Sequence, residues 1–122
     1  MKLYSYFRSS AAYRVRIALN LKGVSYEMVP IHLTKDGGRQ HTPEFRTINP
    51  QARVPALVLP GGEVLTQSMA IIEYLDEIHP EPPLLPPDAV GRAKVRAIAQ
   101  AIACDIHPLN NLIALQYLKR QL

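Results

Sequence analysis

Two adjacent hydroxyls, Ser9 and Ser10, stand where a short apolar strand gives way to a helical pattern. A helix N-terminus presents free backbone amides and positive potential, and together these favour a bound anion. The junction has no cysteine, since the chain's single cysteine is Cys104. A thiolate that reacts here must therefore come from a bound small molecule, with the serine hydroxyls as its hydrogen-bond donors. The alternative is that one serine is simply the N-cap of the helix.

Length and composition are those of a globular chain with a moderate positive charge. The 122 residues include 14 Lys and Arg against 10 Asp and Glu, which gives a net charge of +4. The basic residues are scattered, so we expect no nucleic-acid partner. No apolar stretch has the length of a membrane span, so we expect no membrane association. A single cysteine excludes an internal disulfide and a Cys-x-x-Cys site, and it indicates a cytoplasmic location.

A proline-rich segment divides the chain. Five of the 11 prolines lie between Pro80 and Pro87, a density that excludes helix and disfavours strand. We predict a mixed α/β domain over 1–80, a linker over 81–87 and helices over 88–122, with an N-cap at Asp88 and an interruption at Pro108. The apolar pattern continues to the last residue, so we expect an incomplete helical domain or a partner chain that covers it.

The first domain has the element order βαβ, a loop with a short helix, then ββα. A helix stop at Gly23, an edge position at Pro30 and an N-cap at Thr42 support this division. Ser68 is predicted to cap the last helix. The predicted strands cover 3–6, 26–31, 56–59 and 63–65, and the two longer helices cover 10–22 and 68–78. This order predicts a thioredoxin-like α/β domain followed by the start of an all-α domain.

Three further places could hold a peptide-like ligand. Val54-Pro55 precedes a strand, where a cis bond would turn the Val54 amide and carbonyl outward to pair with a ligand; the alternative is a simple turn. Gln67-Ser68 begins a helix whose amides could hold a carboxylate, although Ser68 could be an ordinary N-cap. Gln40 and Arg53 are weaker candidates, because exposed polar loop residues are usually only solvated.

Polar residues also cluster around Pro108 in the helical part. A spacing of four puts His107 and Asn111 on one side of any continuing helix. A lone histidine is more often a packing or surface residue, so a function for this pair depends on the resemblance described next. We expect no metal site, because Asp105 and His107 lack a third ligand nearby. Cys104 is predicted to be buried and inert.

Four motifs, in this order, resemble those of the zeta-class glutathione transferases. They are SSAAYRVRIAL at 9–19, KDGG at 35–38, NPQARVPAL at 49–57 and QSMAIIEYL at 67–75. The resemblance covers essentially the whole chain, and within the class it is to maleylacetoacetate isomerases and their maleylpyruvate relatives. It implies a thioredoxin-like domain followed by an all-helical domain, glutathione as cofactor and a homodimer.

The resemblance also implies a reaction and a set of site residues. The reaction is the glutathione-dependent cis–trans isomerisation of a small maleyl-substituted oxo-acid in the catabolism of aromatic amino acids. A general glutathione transferase or peroxidase, and a non-catalytic interaction module, are the alternatives. The implied roles are catalysis for Ser9 and Ser10, and glutathione binding for these two with Gln40, Arg53, Val54, Pro55, Gln67, Ser68, His107 and Asn111.

Two departures from the family pattern qualify this expectation. Ala11 and Tyr13 stand where the family often has cysteine and tryptophan. The family's arginine for the substrate carboxylate lies beyond residue 122. We therefore expect the 122-residue chain to bind glutathione, while turnover of substrate depends on a longer chain.

Overall fold

The chain divides into two compact units, Met1–Pro82 and Pro83–Leu122. A computed structural model describes all residues from 1 to 122. In the first unit, four strands and three helices are joined by loops that include two turns of 3-10 helix. The elements are β1 (Lys2–Ser5), α1 (Ser10–Leu21), β2 (Glu27–Pro30), the 3-10 turns Lys35–Gly37 and Arg39–His41, α2 (Pro43–Ile48), β3 (Ala56–Val58), β4 (Val64–Thr66) and α3 (Ser68–Ile78).

The four strands form one mixed sheet in the order β2-β1-β3-β4. β1 and β2 are parallel, and β3 is antiparallel to both β1 and β4. The predicted thioredoxin-like order is confirmed, and Pro30 lies on an edge strand as expected. Ala56 pairs with Tyr4 and with Thr66, so the chain leaves β1 and β4 and enters β3 at the same end of the sheet. We call this end, which is also the C-terminal end of β2, the carboxyl end of β1.

Each face of the sheet is covered by a different part of the chain. Alternation along β1 puts Leu3 and Tyr4 on opposite faces. The ring of Tyr4 lies 5.8 Å from that of Phe45 in α2, so α2 covers the Tyr4 face. The opposite face buries Leu3, together with fully buried aliphatic side chains of β3, α1 and α3, namely Leu57, Val15, Leu19, Ile71 and Leu75. Burying each such side chain stabilises the fold by about 1.5–3 kcal/mol.

Local turn chemistry fixes the ends of the helices. Gly23 adopts φ 64° after α1, and its N–H donates to Asn20 O while Val24 N–H donates to Leu19 O. These two bonds form a Schellman motif, and the predicted stop at Gly23 is confirmed. Thr42 Oγ1 accepts from Phe45 N–H at 3.3 Å, with proline at the first position of α2, so this predicted cap is also confirmed.

One buried hydroxyl on β1 lacks a partner. Ser5 is 2% exposed, and its Oγ makes no hydrogen bond. In the unfolded chain this hydroxyl is hydrated, so burying it unpaired destabilises the fold. We expect Ser5→Ala to raise the free energy of unfolding by about 1 kcal/mol, measured by urea denaturation. The exposed Ser25→Ala should stay within about 0.5 kcal/mol of the parent. A Ser5→Ala variant no more stable than the parent would contradict this account.

The second unit is entirely helical. Its elements are α4 (Ala89–Gln100), a π-helical turn (Ala101–Ile106), α5 (His107–Leu109) and α6 (Leu112–Gln121). Asp88 caps α4 through a 2.7 Å bond from Gly91 N–H, as predicted, and the helix is interrupted around Pro108, also as predicted. None of the helices in the chain combines the length and the apolar character that a membrane crossing requires.

The prediction that Cys104 is buried is wrong, because the thiol is exposed. None of the helical elements after residue 88 contains a buried residue. The prediction rested on the general tendency of free cysteine to be buried, whereas these helices leave even their apolar positions incompletely covered.

Candidate ligand site at the carboxyl end of β1

Ser9 is the N-cap of α1. Its Oγ accepts from Ala12 N–H at 3.2 Å, and its carbonyl accepts from Tyr13 N–H at 2.8 Å. A hydroxyl has one hydrogen and two lone pairs, and the cap uses only a lone pair. The hydrogen of Ser9 Oγ is therefore free to point at an anion, so the capping role and the donor role are compatible.

The start of α1 offers a further donor that the sequence did not single out. Ser10 is the first residue of the helix and has an exposed side chain. Ala11 follows it, and its backbone N–H has no partner in the chain. The first amides of any helix lack intrahelical acceptors, so the predicted helix start already implied free amides here, although it did not single out Ala11.

Val54 presents an unpaired backbone edge next to the start of α1. Of the two interpretations of Val54-Pro55, the structure has the cis bond, and neither the N–H nor the C=O of Val54 is hydrogen-bonded within the chain. The Val54 side chain belongs to a buried cluster with Tyr6, Ala12 and Phe45. This cluster holds the Val54 segment against the first turn of α1.

Gln67, and not Ser68 as predicted, occupies the N-cap position of α3. Gln67 has φ 68° and ψ 115°, which turns the chain so that Ser68 becomes the first helical residue. Such a backbone conformation is sparsely populated. Residues that adopt sparsely populated conformations are concentrated at ligand sites. Ser68 is 8% exposed and its hydroxyl has no partner in the chain, so the hydroxyl remains available beside the free amides of α3.

The side chain of Gln40 is buried and hydrogen-bonded within its loop. It is 6% exposed, and its Nε2 donates to Leu33 O at 3.2 Å and contacts His41 Nε2 at 3.1 Å. Its Oε1 is buried without a partner. A Cβ on Gly38 would come within 2.8 Å of both this amide and Leu33 O, at a φ of +95°. Glycine is therefore required there for the amide to keep its position.

Arg53 lies in the loop before β3 with an exposed side chain. The sheet topology brings this residue, Ser9, Val54 and Gln67-Ser68 to the carboxyl end of β1. A 3.3 Å bond from Gln67 Nε2 to Gln51 Oε1 links the last segment to the loop before β3. The unpaired groups gathered there are hydroxyls, amide N–H groups and carbonyl oxygens, which suit a peptide ligand that carries carboxylates.

Comparison with known proteins identifies this domain. Residues 1–77 match the family model described as glutathione S-transferase, N-terminal domain. The chain belongs to the glutathione S-transferase family.

Individual relatives of this transferase chain are similar over nearly all of its residues. It is 58% identical to the maleylacetoacetate isomerase of Mus musculus, with 93% of this chain and 52% of the mouse protein covered. It is 52% identical to a maleyl pyruvate isomerase described as a bacterial zeta-class transferase, at a TM-score of 0.93 over 99% of this chain and 56% of that one. The maleylacetoacetate isomerase of Methylobacterium extorquens AM1, solved with bound malonate and glutathione, has a TM-score of 0.93 and 50% identity, covering 99% of this chain and 56% of that one.

The chain therefore spans about half the length of the relatives that it matches. The resemblance to the zeta class and the predicted fold class are both confirmed by these comparisons. The activity of the relatives belongs to proteins about twice as long.

The remaining two predicted site residues lie in the second unit of the transferase chain. The prediction that His107 and Asn111 share one side of a continuing helix is wrong. The helix ends after Leu109, Asn110 has φ −109° and ψ 16°, and Asn111 is the N-cap of α6. The Asn111 Oδ1 accepts from Ile113 and Ala114 N–H, so this oxygen is engaged. A ligand role for His107 stays a prediction.

Proposed function

We propose that this chain binds reduced glutathione and serves the glutathione-dependent cis–trans isomerisation of a maleyl-substituted oxo-acid. The observation that carries the proposal is the unpaired N–H and C=O of Val54, which lie at the same end of the sheet as Ser9 and Ser68. A peptide can pair with such an edge as an added strand. The names of the relatives support the reaction.

Each end of the tripeptide has a suitable partner in this arrangement. The Ser68 hydroxyl and the first amides of α3 suit the γ-glutamyl carboxylate, because a helix N-terminus favours anions. The cysteinyl backbone pairs with Val54. The exposed guanidinium of Arg53 suits the glycyl carboxylate, and Gln40 is assigned to the same glycyl end from the family resemblance.

The start of α1 receives the sulfur in this proposal. The Ser9 hydroxyl and the Ala11 N–H are the donors, and the N-terminal end of the helix adds positive potential. Ser10 lies between these two donors in the same turn. When bound, glutathione supplies a thiolate that adds reversibly to the cis double bond, so that rotation and elimination give the trans isomer and return the thiolate.

The proposed substrate is maleylacetoacetate, with maleylpyruvate as the other candidate, because relatives at 58% and 52% identity are named for these two compounds. Both are dianions, and the net charge of +4 has the sign that favours their approach. Homodimer formation, implied by the family resemblance, and a cytoplasmic location, indicated by the single cysteine, are part of the same proposal.

Titration calorimetry on the purified chain tests glutathione binding. We expect one site for reduced glutathione with a Kd between about 1 μM and 1 mM. Ser68→Ala should weaken binding about tenfold, because a hydrogen bond to a charged group contributes about 1.5 kcal/mol or more. Ser25→Ala is the matched control and should bind like the parent. Absence of heat with a folded chain would refute the proposal.

A second measurement separates isomerisation from glutathione-consuming chemistry. The free thiol is assayed during turnover of maleylacetoacetate by a preparation that contains this chain. An isomerase leaves the glutathione concentration constant, whereas a transferase or a peroxidase lowers it with turnover. A folded chain that binds glutathione and never turns over substrate would support a non-catalytic module.

A further inference from the structure

The loop that carries Val54 is organised around one buried side chain, Asn49. Asn49 is 2% exposed and follows directly after α2. Its backbone N–H donates to Phe45 O at 2.8 Å, and its carbonyl accepts from Ala52 N–H at 2.9 Å. Both functional atoms of its side chain are also used, so every hydrogen-bonding group of this residue except one Nδ2 hydrogen has a named partner.

The side-chain bonds of Asn49 reach forward across the loop. Oδ1 accepts from Gln51 N–H at 3.1 Å, and Nδ2 donates to Arg53 O at 2.8 Å. Ala52, between these two contacts, has φ 53°, a left-handed conformation that costs about 1–2 kcal/mol for a residue with a Cβ. The hydrogen bonds of Asn49 on both sides of Ala52 hold it in that conformation.

The bond to Arg53 O has a consequence for Val54, because the two groups share one peptide plane. The Arg53-Val54 bond is trans, since the cis bonds of the chain are Val54-Pro55 and Glu81-Pro82. In a planar trans peptide the C=O and the N–H point in opposite directions. With its carbonyl directed at the buried Asn49 amide, this peptide must direct the Val54 N–H away from the loop interior.

We infer that Asn49 is a positioning residue that aims the Val54 N–H at the ligand. The inference rests on the proposed function, since it concerns the affinity of the same site for glutathione. Asn49 touches no ligand in this account. It acts through its hydrogen bond to the Arg53 carbonyl. Without that bond the Arg53-Val54 peptide would have to be ordered when the ligand binds, and this ordering cost lowers the affinity.

Amide NMR on the intact chain measures directly whether the Val54 N–H pairs with glutathione. In the free parent, Val54 N–H has no acceptor and should exchange rapidly, whereas saturating reduced glutathione should shift its resonance and slow its exchange. A Val54 amide that is unchanged at saturation would overturn the inference without any substitution. A parent that binds neither glutathione nor S-methylglutathione would instead refute the proposed function, so the two failures are distinguishable.

Substitution gives the second arm of the test. Asn49→Ser is too short to reach Arg53 O, and Asn49→Asp keeps the acceptor for Gln51 but loses the donor. Both should raise the Kd for glutathione about tenfold, the effect of losing one hydrogen bond. The increase should be equal for S-methylglutathione, because the lost contact is to the peptide and not to sulfur.

The matched control is Thr42→Ala, which removes the cap of α2 and leaves the loop bonds in place. It should lower stability without changing either Kd. If the Asn49 variants fold and bind with the parent Kd, Asn49 has a structural role only and the inference fails.

Discussion

Lys22→Met should destabilise the first unit by about 3–5 kcal/mol, the range found when one partner is removed from a buried ion pair. The side chain of Lys22 is 0% exposed, and Nζ lies 2.6 Å from Asp76 Oδ1, a carboxylate that is itself 16% exposed. The same ammonium donates to Pro82 O. The substitution keeps the volume of the side chain and removes the Lys22 ammonium from a carboxylate that is largely buried.

Urea denaturation followed by circular dichroism measures this loss, and the chain has a matched control. Lys2 pairs with Glu27 at 3.3 Å on the surface, with side-chain exposures of 56% and 60%. Exposed pairs contribute about 0–1 kcal/mol, so Lys2→Met should be nearly neutral. The double variant Lys22→Met with Asp76→Leu should be more stable than Lys22→Met alone. Equal losses for Lys22→Met and Lys2→Met would contradict the burial argument.

The Lys22 contacts also show what sequence reasoning could not reach. In the sequence, Lys22 ends the predicted helix 10–22 and shares the helical spacing of the apolar Val15 and Leu19, but no local signal identifies a partner for its ammonium. It is buried because Asp76 and Pro82, more than 50 residues later, converge on it in the fold. Local patterns do not contain such a long-range pairing.

Elements with a local cause were predictable. The stop at Gly23 and the cap at Thr42 depend on two or three neighbouring residues, and both are confirmed in the structure. The conflict between proline and a strand start left two interpretations of Val54-Pro55, a cis bond or a simple turn, and the structure has the cis bond. The thioredoxin-like order followed because each of these signals marks an end of an element.

The site was harder to predict where its residues act through the backbone. The N–H of Ala11 and the positive φ of Gln67 are invisible in side-chain chemistry. Asn49 stood inside a quoted motif, but its role became visible only from its burial and its bond to Arg53 O. The pairing of His107 with Asn111 assumed a continuous helix, and the helix end after Leu109 removed that premise.

Ser9→Ala should raise the pKa of the bound glutathione thiol by about one to two units. A free thiol has a pKa of about 8.5, and lowering it by two units requires about 2.7 kcal/mol of preferential stabilisation of the anion. A helix N-terminus supplies about 0.3–1 kcal/mol, so most of the effect must come from hydrogen bonds. A donor to a charged acceptor contributes about 1.5–3 kcal/mol, which is the contribution that Ser9 Oγ makes in the proposed complex.

Thiolate absorbance of the complex, titrated against pH at saturating glutathione, gives this pKa. The substitution also removes the N-cap of α1, which lowers stability by about 1 kcal/mol. Thr42→Ala loses a comparable cap at α2 and should leave the thiol pKa unchanged. Ser9→Thr keeps the hydroxyl and should keep the parent value.

The affinity for S-methylglutathione separates the sulfur contact from the peptide contacts. This ligand has no ionisable thiol, so Ser9→Ala should bind it with nearly the parent Kd. The same variant should raise the pKa of the thiol of bound glutathione. A raised pKa in Ser9→Ala alone assigns the donor role to the free hydrogen of the capping hydroxyl. If the pKa stays at the parent value in Ser9→Ala, the anion is held by the amides of α1 and Ser9 serves only as the cap.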